Sequence, residues 1–299
     1  MDNTKINMLL NNRKYPLFKS MLNNVTQGDT IEMMKQIPNN SIDLVLVDLP
    51  YGTTQNKWDS VIPLPELWDQ YHRIVKENGA MVFTASGLFT AQLMLSNPNE
   101  YKYKYTWIKS KATNFLNAKK QPLRKHEDIL VFYRKQPTYH PQMTEGEAYN
   151  KGIRKNQVTG SYGDFNPVMV QSKGMRYPVD VLYFKTAEAE GKVVHPTQKP
   201  VALGRYLIKT FSNPGDIVLD NTSGSGSFLV AALQEGRNFI GIEKNEDGTL
   251  FKKKSVDYIK ITESRIEQTI REMDANTLMH LHKINLLSNN EALNDEKAK

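Results

Sequence analysis

Cysteine is absent from the 299-residue sequence. Its absence excludes disulfides, cysteine nucleophiles and thiolate zinc sites. The six histidines are scattered, and their spacing predicts no metal site. Long apolar runs are also missing: no stretch approaches the ~20 residues that a membrane span needs, and residues 1–20 lack the apolar segment of a secretory signal. We therefore expect a cytoplasmic protein without a bound metal.

Acidic residues are outnumbered, because 32 Asp and Glu stand against 39 Lys and Arg and give a formal charge of +7. The excess is concentrated between Tyr101 and His140, where there are ten Lys or Arg and two acids. The alternation of Tyr and Lys over residues 101–105 predicts a strand with one aromatic and one basic face. Since such cations release counterions from a nucleic-acid backbone, the region predicts a phosphate-facing surface. Its candidate contacts are Lys109, Lys111, Lys119, Lys120, Arg124 and Lys125.

Apolar runs that stop at a carboxylate indicate an α/β fold. Residues 42–47, 216–219 and 238–242 are predicted strands, and they end at Asp48, Asp220 and Glu243 respectively. A further buried strand, residues 79–84, follows a helical pattern over residues 64–76. Because ligands of open α/β sheets bind at the carboxyl ends of the strands, we expect these acids to line a site.

A turn rich in glycine and serine, residues 220–227, lies between a predicted strand and an apolar helix. Such a turn presents free main-chain N–H groups at a helix N-terminus and lets a ligand come close. Glu243 follows Asp220 by 23 residues, an offset that suits an acid accepting the hydroxyls of a ribose. The pattern predicts a nucleoside-bearing cofactor, and the spacing suits a nicotinamide dinucleotide as well.

The tetrapeptide Asp48-Leu49-Pro50-Tyr51 has the groups needed to activate an amino nitrogen attached to a ring. Such a nitrogen is a weak nucleophile because its lone pair is delocalised. The Asp48 carboxylate and the Leu49 carbonyl, whose direction Pro50 restricts, can accept both N–H hydrogens and free the lone pair. The ring of Tyr51 offers a face on which a base rotated out of a duplex can stack.

Together these motifs resemble those of the amino-group DNA methyltransferases, which act on adenine N6 or cytosine N4 and carry Asp/Asn/Ser-Pro-Pro-aromatic as their catalytic signature. Leu49 replaces the first proline here, and since only its carbonyl is needed we expect the chemistry to survive. Further matches are Gly28-Asp29, residues 124–127 and residues 195–200. The tetrapeptide precedes the glycine-rich turn, an order similar to the family's β class. The resemblance spans about residues 25–265.

The resemblance implies an α/β fold of the S-adenosylmethionine-dependent methyltransferase (Rossmann-like) type: a mixed sheet with helices on both faces and a small loop-rich target-recognition insertion. It implies S-adenosylmethionine as cofactor. The catalytic residues are then Asp48, Leu49, Pro50 and Tyr51. The implied cofactor-binding residues are Asp29, Asp48, Lys199, Asp220, Asn221, Thr222, Ser223, Gly224, Ser225, Gly226, Ser227, Glu243 and Lys244.

Four parts are expected: a catalytic half at residues 20–135, a target-recognition module at 136–194, a cofactor-binding half at 195–272 and a helical, polar tail at 273–299. The module is rich in Gly, Pro, Asn, Tyr and Lys and has little periodicity. Its candidate DNA contacts are Arg154, Lys155, Lys173 and Arg176. The implied partner is double-stranded DNA in a bacterial or phage-infected cell, and the resemblance leaves a homodimer and a companion restriction endonuclease open.

Asp48 favours adenine, because the N4-cytosine enzymes of the family more often begin the tetrapeptide with Ser. We therefore expect site-specific methylation of adenine N6 by base flipping and direct transfer. The alternatives are an N4-cytosine methyltransferase and a catalytically inactive DNA-binding relative. Methylation of protein glutamine is disfavoured, since those enzymes begin the tetrapeptide with Asn and place the cofactor loop first. RNA is the remaining alternative substrate.

Overall fold

The computed structural model describes residues 14–52, 60–154, 166–245, 249–250 and 254–274. Its strands, numbered along the chain, are β1 (Asn24–Gln27), β2 (Ile42–Val47), β3 (Val75–Ala85), β4 (Tyr101–Thr113), β5 (Arg124–Phe132), β6 (Thr144–Glu145), β7 (Tyr149–Arg154), β8 (Val168–Ser172), β9 (Met175–Arg176), β10 (Val181–Phe184), β11 (Ile217–Asp220), β12 (Asn238–Glu243), β13 (Thr249–Leu250) and β14 (Lys254–Ser255). Eight of them form the central sheet, in the order β1-β12-β11-β2-β3-β5-β4-β10.

The central sheet is mixed. The five strands β1, β12, β11, β2 and β3 are parallel neighbours. Strand β5 is antiparallel to both β3 and β4, and β10 is parallel to β4. It follows that β4 and β10 run in the same direction as β2. The mixed α/β sheet expected from the sequence is confirmed.

The helices are α1 (Phe18–Met21), α2 (Thr30–Met34), α3 (Leu64–Ile74), α4 (Leu88–Ser96), α5 (Val201–Phe211), α6 (Ser227–Gln234) and α7 (258–274), with short 3₁₀ turns at Phe115–Asn117 and Ala187–Ala189. Helix α3 shows why they form: its buried residues Leu67, Trp68, Tyr71 and Ile74 recur at the three- to four-residue spacing of one helix face. No helix in these described ranges is long and apolar enough to cross a membrane.

The core lies on both faces of the sheet. In β2, Val45 and Val47 pack into one buried cluster, whereas Leu44 and Leu46 pack into the other. Successive side chains of a strand point to opposite faces, so a strand buried on both sides is apolar throughout. This explains the continuous apolar run at residues 44–47, and Asp48 follows at the end of this central strand. The one charged residue of β2, Asp43, forms an ion pair with Lys76.

Residues 136–194 contain more regular structure than their composition indicates. Strands β6 and β9 form one antiparallel pair, and β7 and β8 form another. Strand β10 joins the central sheet beside β4, where Leu182 is buried and the indole N–H of Trp107 donates to the Phe184 carbonyl at 3.0 Å. The expected loop-rich module therefore contributes an edge strand to the main sheet. The tail expected at residues 273–299 lies outside the described residues, except that 273 and 274 end α7.

Candidate active site

Acidic residues lie at the carboxyl ends of neighbouring parallel strands. Glu243 ends β12 and is in register with Gln27 at the end of β1, and Asp29 follows two residues later. Asp220 ends β11, and Asp48 follows the last residue of β2. Because these strands are adjacent and parallel, the topology brings the four acids to one edge of the sheet.

The glycine-rich turn is fastened to β12 by Glu243. The Gly224 N–H donates to Glu243 Oε2 at 2.8 Å, and the Asn245 N–H donates to Oε1 at 3.0 Å. Gly226 precedes α6 with a φ of +74°, and a Cβ there would lie 2.5 Å from Thr262 Cγ2. Glycine is therefore required at this position both by the left-handed backbone and by the close approach of α7.

Two polar residues join the turn to the rest of the protein. The Asn221 amide oxygen accepts the Tyr71 hydroxyl at 2.7 Å, and its nitrogen donates to Thr30 Oγ1 at 2.8 Å. The resemblance implies that Asn221 binds the cofactor, but its amide oxygen and nitrogen both form hydrogen bonds with protein side chains. The Thr222 hydroxyl donates to the Asp48 carbonyl at 3.0 Å, so the turn contacts the predicted catalytic tetrapeptide directly.

The three serines of the turn differ in their partners. Ser223 Oγ is buried and has no hydrogen-bond partner among the described residues. Ser225 Oγ donates to Gln198 Oε1 at 3.4 Å, and Ser227 Oγ accepts from the Arg265 guanidinium at 3.3 Å. Ser223 therefore offers a buried hydroxyl whose hydrogen-bonding capacity is open to a ligand.

Asp29 and Lys244 lie at the border of the site. Asp29 caps α2, and its Oδ1 accepts the N–H groups of Ile31 and Glu32 at 3.0 and 3.3 Å. Lys244 is exposed and directly follows Glu243. Asp29 is therefore held against the first turn of α2, the helix that follows β1.

The Asp48 carboxylate is bound by three side chains from different parts of the sequence. Its Oδ1 accepts the Tyr51 hydroxyl at 2.7 Å and also the Thr84 hydroxyl. Its Oδ2 accepts the Lys199 ammonium at 2.6 Å. The resemblance implies that Lys199 binds the cofactor, and the structure shows it in an ion pair with Asp48.

That ion pair belongs to a chain of alternating charges, Lys109–Glu127–Lys199–Asp48, which we call the charge ladder. Glu127 lies 3.0 Å from Lys109 and 3.5 Å from Lys199, and the two lysines are only 5% and 8% exposed. Burial alone raises the pKa of Glu127, but the Lys199 and Lys109 ammonium groups outweigh it and hold this pKa below its usual range. Burial alone lowers the pKa of Lys199, and the charges of Asp48 and Glu127 reverse this and raise it.

The charge ladder shows that one predicted DNA contact is wrong, and it identifies one further residue of the site. Lys109 is expected to face DNA phosphate, but the structure buries it against Glu127, because position 109 falls on an inward-facing position of β4. Glu127 has no site role in the sequence analysis. The available signal was its place in residues 124–127, one of the segments that match the family pattern.

The ring of Tyr51 is half-buried and stacks on Phe89, with ring centroids 5.0 Å apart and an interplanar angle of 21°. Phe89 thus covers one face of the ring predicted to hold a flipped base. Burial, and then the neighbouring charges of Asp48 and Glu127, raise the pKa of Tyr51 far above its ordinary value. The phenol therefore keeps its proton and donates a hydrogen bond to Asp48. The adjacent Leu49 side chain is buried in the core, which fixes the backbone of the tetrapeptide.

Burial shifts the pKa values of three other groups. It raises the pKa of Asp220 well above the ordinary value, with the Asp48 and Glu243 charges adding to the effect. It also raises the pKa of Glu243, although the N–H groups of Asn245 and Gly224 work in the opposite direction. Burial and the Lys199 charge lower the pKa of His195 to about 4, so its imidazole is neutral at pH 7.

The predicted DNA contacts have mixed environments. Exposed side chains are found at Lys111, Lys119, Lys120, Arg124, Lys125 and Lys173. Arg176 is partly engaged within the protein, since it donates to Ser172 Oγ at 2.8 Å and lies 4.7 Å from the Tyr149 ring centroid. Lys155 and the Arg154 side chain lie outside the described residues.

The sequence matches a family model for DNA methylase, covering N6 and N4 methyltransferases, over residues 42–249. This range is more than half of the chain. The chain belongs to this DNA methylase family. A curated relative of this DNA methylase is the DNA adenine methyltransferase YhdJ of Escherichia coli (strain K12), which is 31% identical over 249 residues that cover 75% of this chain and 79% of YhdJ.

Two solved structures have a similar fold. The M1.HpyAVI–SAM complex aligns with a TM-score of 0.55 and 22% identity, and covers 81% of this chain and 98% of its own. The cytosine-N4-specific PvuII DNA methyltransferase aligns with a TM-score of 0.51 and 14% identity, and covers 81% of this chain and 92% of its own. At these identities the DNA methylase shares their fold, and the target base is a separate question.

Proposed function

We propose that this DNA methylase transfers a methyl group from S-adenosylmethionine to the N6 amino group of adenine within a specific sequence of duplex DNA. The observation that carries the proposal is the Asp48 carboxylate. It is held at the end of β2 by Tyr51 and Lys199, and its main chain is bonded to the glycine-rich turn through Thr222. An acceptor for an amino group therefore lies beside the turn expected to hold the cofactor.

The residues of the turn fit this cofactor. Ser223 Oγ is a buried polar atom without a partner among the described residues. Glu243 ends β12, where an acid can accept ribose hydroxyls. Burial raises the pKa values of Asp220 and Glu243, and a cationic ligand nearby stabilises the charged form of such acids. When bound, S-adenosylmethionine supplies an electrophilic methyl group on a sulfonium sulfur.

Asp48 has room for the amino group of a base. A carboxylate offers about four acceptor positions, and the hydroxyls of Tyr51 and Thr84 and the ammonium of Lys199 are the donors described at Asp48. One N–H of the amino group binds to Asp48, and the second binds to the Leu49 carbonyl. Hydrogen bonds from both N–H groups shift the nitrogen toward tetrahedral geometry. They make its lone pair available for in-line attack.

Charge balance requires one proton to leave. The nitrogen gains a methyl group, becomes strongly acidic, and passes one proton to Asp48 or to water. Lys199 does not act as the base, because its raised pKa keeps it protonated. A strong base is unnecessary, since the donor is itself a strong acid at that point. The role of Lys199 is to hold Asp48 in place.

Adenine is proposed over cytosine for two reasons. The tetrapeptide begins with Asp48, whereas the N4-cytosine enzymes of the resembled family more often begin with Ser. The curated relative YhdJ is also named as an adenine enzyme. Both bases present the same pair of N–H groups, so the acceptor geometry serves either one.

Residues 136–194 are proposed to read the target sequence. Their two antiparallel strand pairs and the residues beside them expose large side chains, among them Ile153 and Tyr177. Arg176 lies over the Tyr149 ring within this region, and Lys173, three residues earlier in the chain, is exposed. Aromatic and cationic groups of this kind supply base-edge and phosphate contacts.

The test is Asp48→Ala, compared with Asp69→Ala on the exposed side of α3. Asp48→Ala is expected to bind S-adenosylmethionine within about threefold of the wild type but to lose about 10³-fold in methyl transfer, the loss typical of a deleted transition-state hydrogen bond. Asp69→Ala should match the wild type in both. Tritiated-methyl transfer to plasmid DNA and calorimetric binding measure the two quantities. A fully active Asp48→Ala protein overturns the assignment.

A further inference from the structure

The long hairpin formed by β4 and β5 projects beyond the catalytic edge of the sheet. Val47, next to Asp48, is in register with Phe83 of β3, and Phe83 is in register with Leu130 of β5. From Leu130 the hairpin continues for six residues to Arg124, which pairs with Thr113 of β4. At about 3.3 Å per residue, the end of the hairpin lies roughly 20 Å past the level of Asp48, in the direction of the carboxyl ends of β2 and β3.

The end of this hairpin, residues 111–125, combines cations with exposed apolar side chains. We call it the hairpin tip. It carries five basic residues, Lys111, Lys119, Lys120, Arg124 and Lys125, and no acid. At its centre Phe115 is 75% exposed and Leu116 is 84% exposed. Adjacent large apolar side chains left open to water usually mark an interaction site, and the surrounding charge selects a polyanion.

The hairpin tip has a defined conformation. Asn114 adopts a left-handed φ of 70° and its Oδ1 accepts the Asn117 side-chain amide at 2.7 Å. The Ala118 N–H donates to the Phe115 carbonyl at 3.1 Å, which closes the 3₁₀ turn. The two apolar side chains are thus displayed by a hydrogen-bonded turn, and their exposure does not arise from a loose loop.

We propose that the partner of the hairpin tip is duplex DNA, and that Phe115 and Leu116 insert between base pairs beside the target base while the five cations hold the phosphates. The inference rests on the proposed function, because a base that leaves the stack to reach Asp48 opens a gap in the duplex. Apolar side chains inserted at base steps unstack them and bend the DNA. Phe115 and Leu116 would occupy that gap and favour the flipped state.

The experiment compares two substrates that share the target sequence, which is first mapped by sequencing modified bases. One duplex is fully paired, and the other has an abasic position opposite the target base, so that flipping breaks no base pair. The double variant Phe115→Ala/Leu116→Ala is assayed with Leu95→Ala as control, since Leu95 is 77% exposed at the far end of α4. The measured quantity is kcat/KM for methyl transfer, and circular dichroism verifies folding.

On the paired duplex the double variant is expected to lose about 30-fold in kcat/KM, corresponding to lost support for an unstacked step. On the abasic duplex it should lie within about threefold of the wild type, since flipping there is already favoured. Leu95→Ala should resemble the wild type on both. An unchanged rate on the paired duplex overturns the proposal, and so does an equal loss on both substrates. A third outcome is that the wild type is a dimer, the double variant is a monomer, and the abasic duplex does not restore its rate. The hairpin tip would then be a contact between protein chains, and the proposal would be overturned.

Failure of the proposed function is seen separately, in the wild type. Wild-type protein that methylates cytosine contradicts the adenine assignment but leaves the comparison possible with that base as target. Wild-type protein that methylates no DNA contradicts the proposed function itself. The insertion of Phe115 and Leu116 is judged only from the variants.

Discussion

Replacing Lys199 by methionine removes the central positive charge of the charge ladder and keeps an unbranched side chain of similar length. The Lys199 ammonium lies 2.6 Å from Asp48 and 3.5 Å from Glu127. Removing one partner of a buried ion pair costs about 3–5 kcal/mol, because the remaining charge stays buried. The Asp48 and Glu127 side chains are 21% and 16% exposed, and water reaching them reduces the cost, so we expect a loss of about 3 kcal/mol in the free energy of unfolding.

The measurement is urea unfolding at pH 7, with thermal unfolding alongside. A loss of about 3 kcal/mol corresponds to a fall in Tm of about 6–10 °C for a domain of this class. Lys35→Met is the matched control. Lys35 is 2.7 Å from Glu32, but both side chains are largely exposed, and an exposed pair of this kind contributes little. We expect no measurable change in that variant.

The pH dependence provides a second test of Lys199→Met. The pKa of Glu127 is held below its usual range in the folded protein. Its stabilising contribution is therefore present above the unfolded-state pKa and is lost as the pH falls through the folded-state value. Without Lys199, the buried charge of the Glu127 carboxylate destabilises the folded protein at neutral pH, and protonation removes that charge. The difference between wild type and variant should shrink from pH 7 toward about pH 4. A cost as small as that of Lys35→Met, or one that grows on acidification, refutes the reasoning.

Other variants test the cofactor half of the site. Glu243→Gln is expected to weaken S-adenosylmethionine binding by about tenfold or more, measured by calorimetry, because hydrogen bonds to a charged acceptor are lost; an unchanged Kd contradicts it. Burial raises the pKa values of Asp220 and Glu243, so wild-type affinity should fall on acidification at a higher pH than an ordinary carboxylate would require. A flat profile argues against their role. Gly226→Ala should cost about 3 kcal/mol in urea unfolding, from left-handed strain and the contact with Thr262. Gly236 has a similar φ and open space at its Cβ position, so Gly236→Ala should cost about 1 kcal/mol. Equal losses of stability in the two variants would show that the contact with Thr262 contributes nothing.

The central part of the fold could be predicted from the sequence because its signals are local. The apolar run at residues 42–47 coincides with β2. A parallel strand buried on both faces is apolar over most of its length, and the first polar residue after its apolar run marks the edge of the sheet. Asp48, Asp220 and Glu243 could therefore be placed at one edge before any contact between them was known.

The parts that could not be predicted depend on pairing between distant segments. Lys109 is one of many lysines in its region, and only the burial of its position on β4 and the neighbouring Glu127 show that it points inward. Strand β10 is short and lies in a region of irregular composition, so its position beside β4 is determined by tertiary packing. Asn221 matches a cofactor motif, but its side chain is consumed by Tyr71 and Thr30, and neither partner is close in sequence.

The most direct test of the account is nucleoside analysis by mass spectrometry of DNA from cells that express the protein, with Asp48→Ala as the control. N6-methyladenine is expected in DNA from cells with the wild type, and it should be absent from cells with Asp48→Ala at equal protein levels. N4-methylcytosine would contradict the adenine assignment. N6-methyladenine at equal amounts with both proteins would contradict the role of the Asp48 carboxylate, on which the proposed chemistry depends.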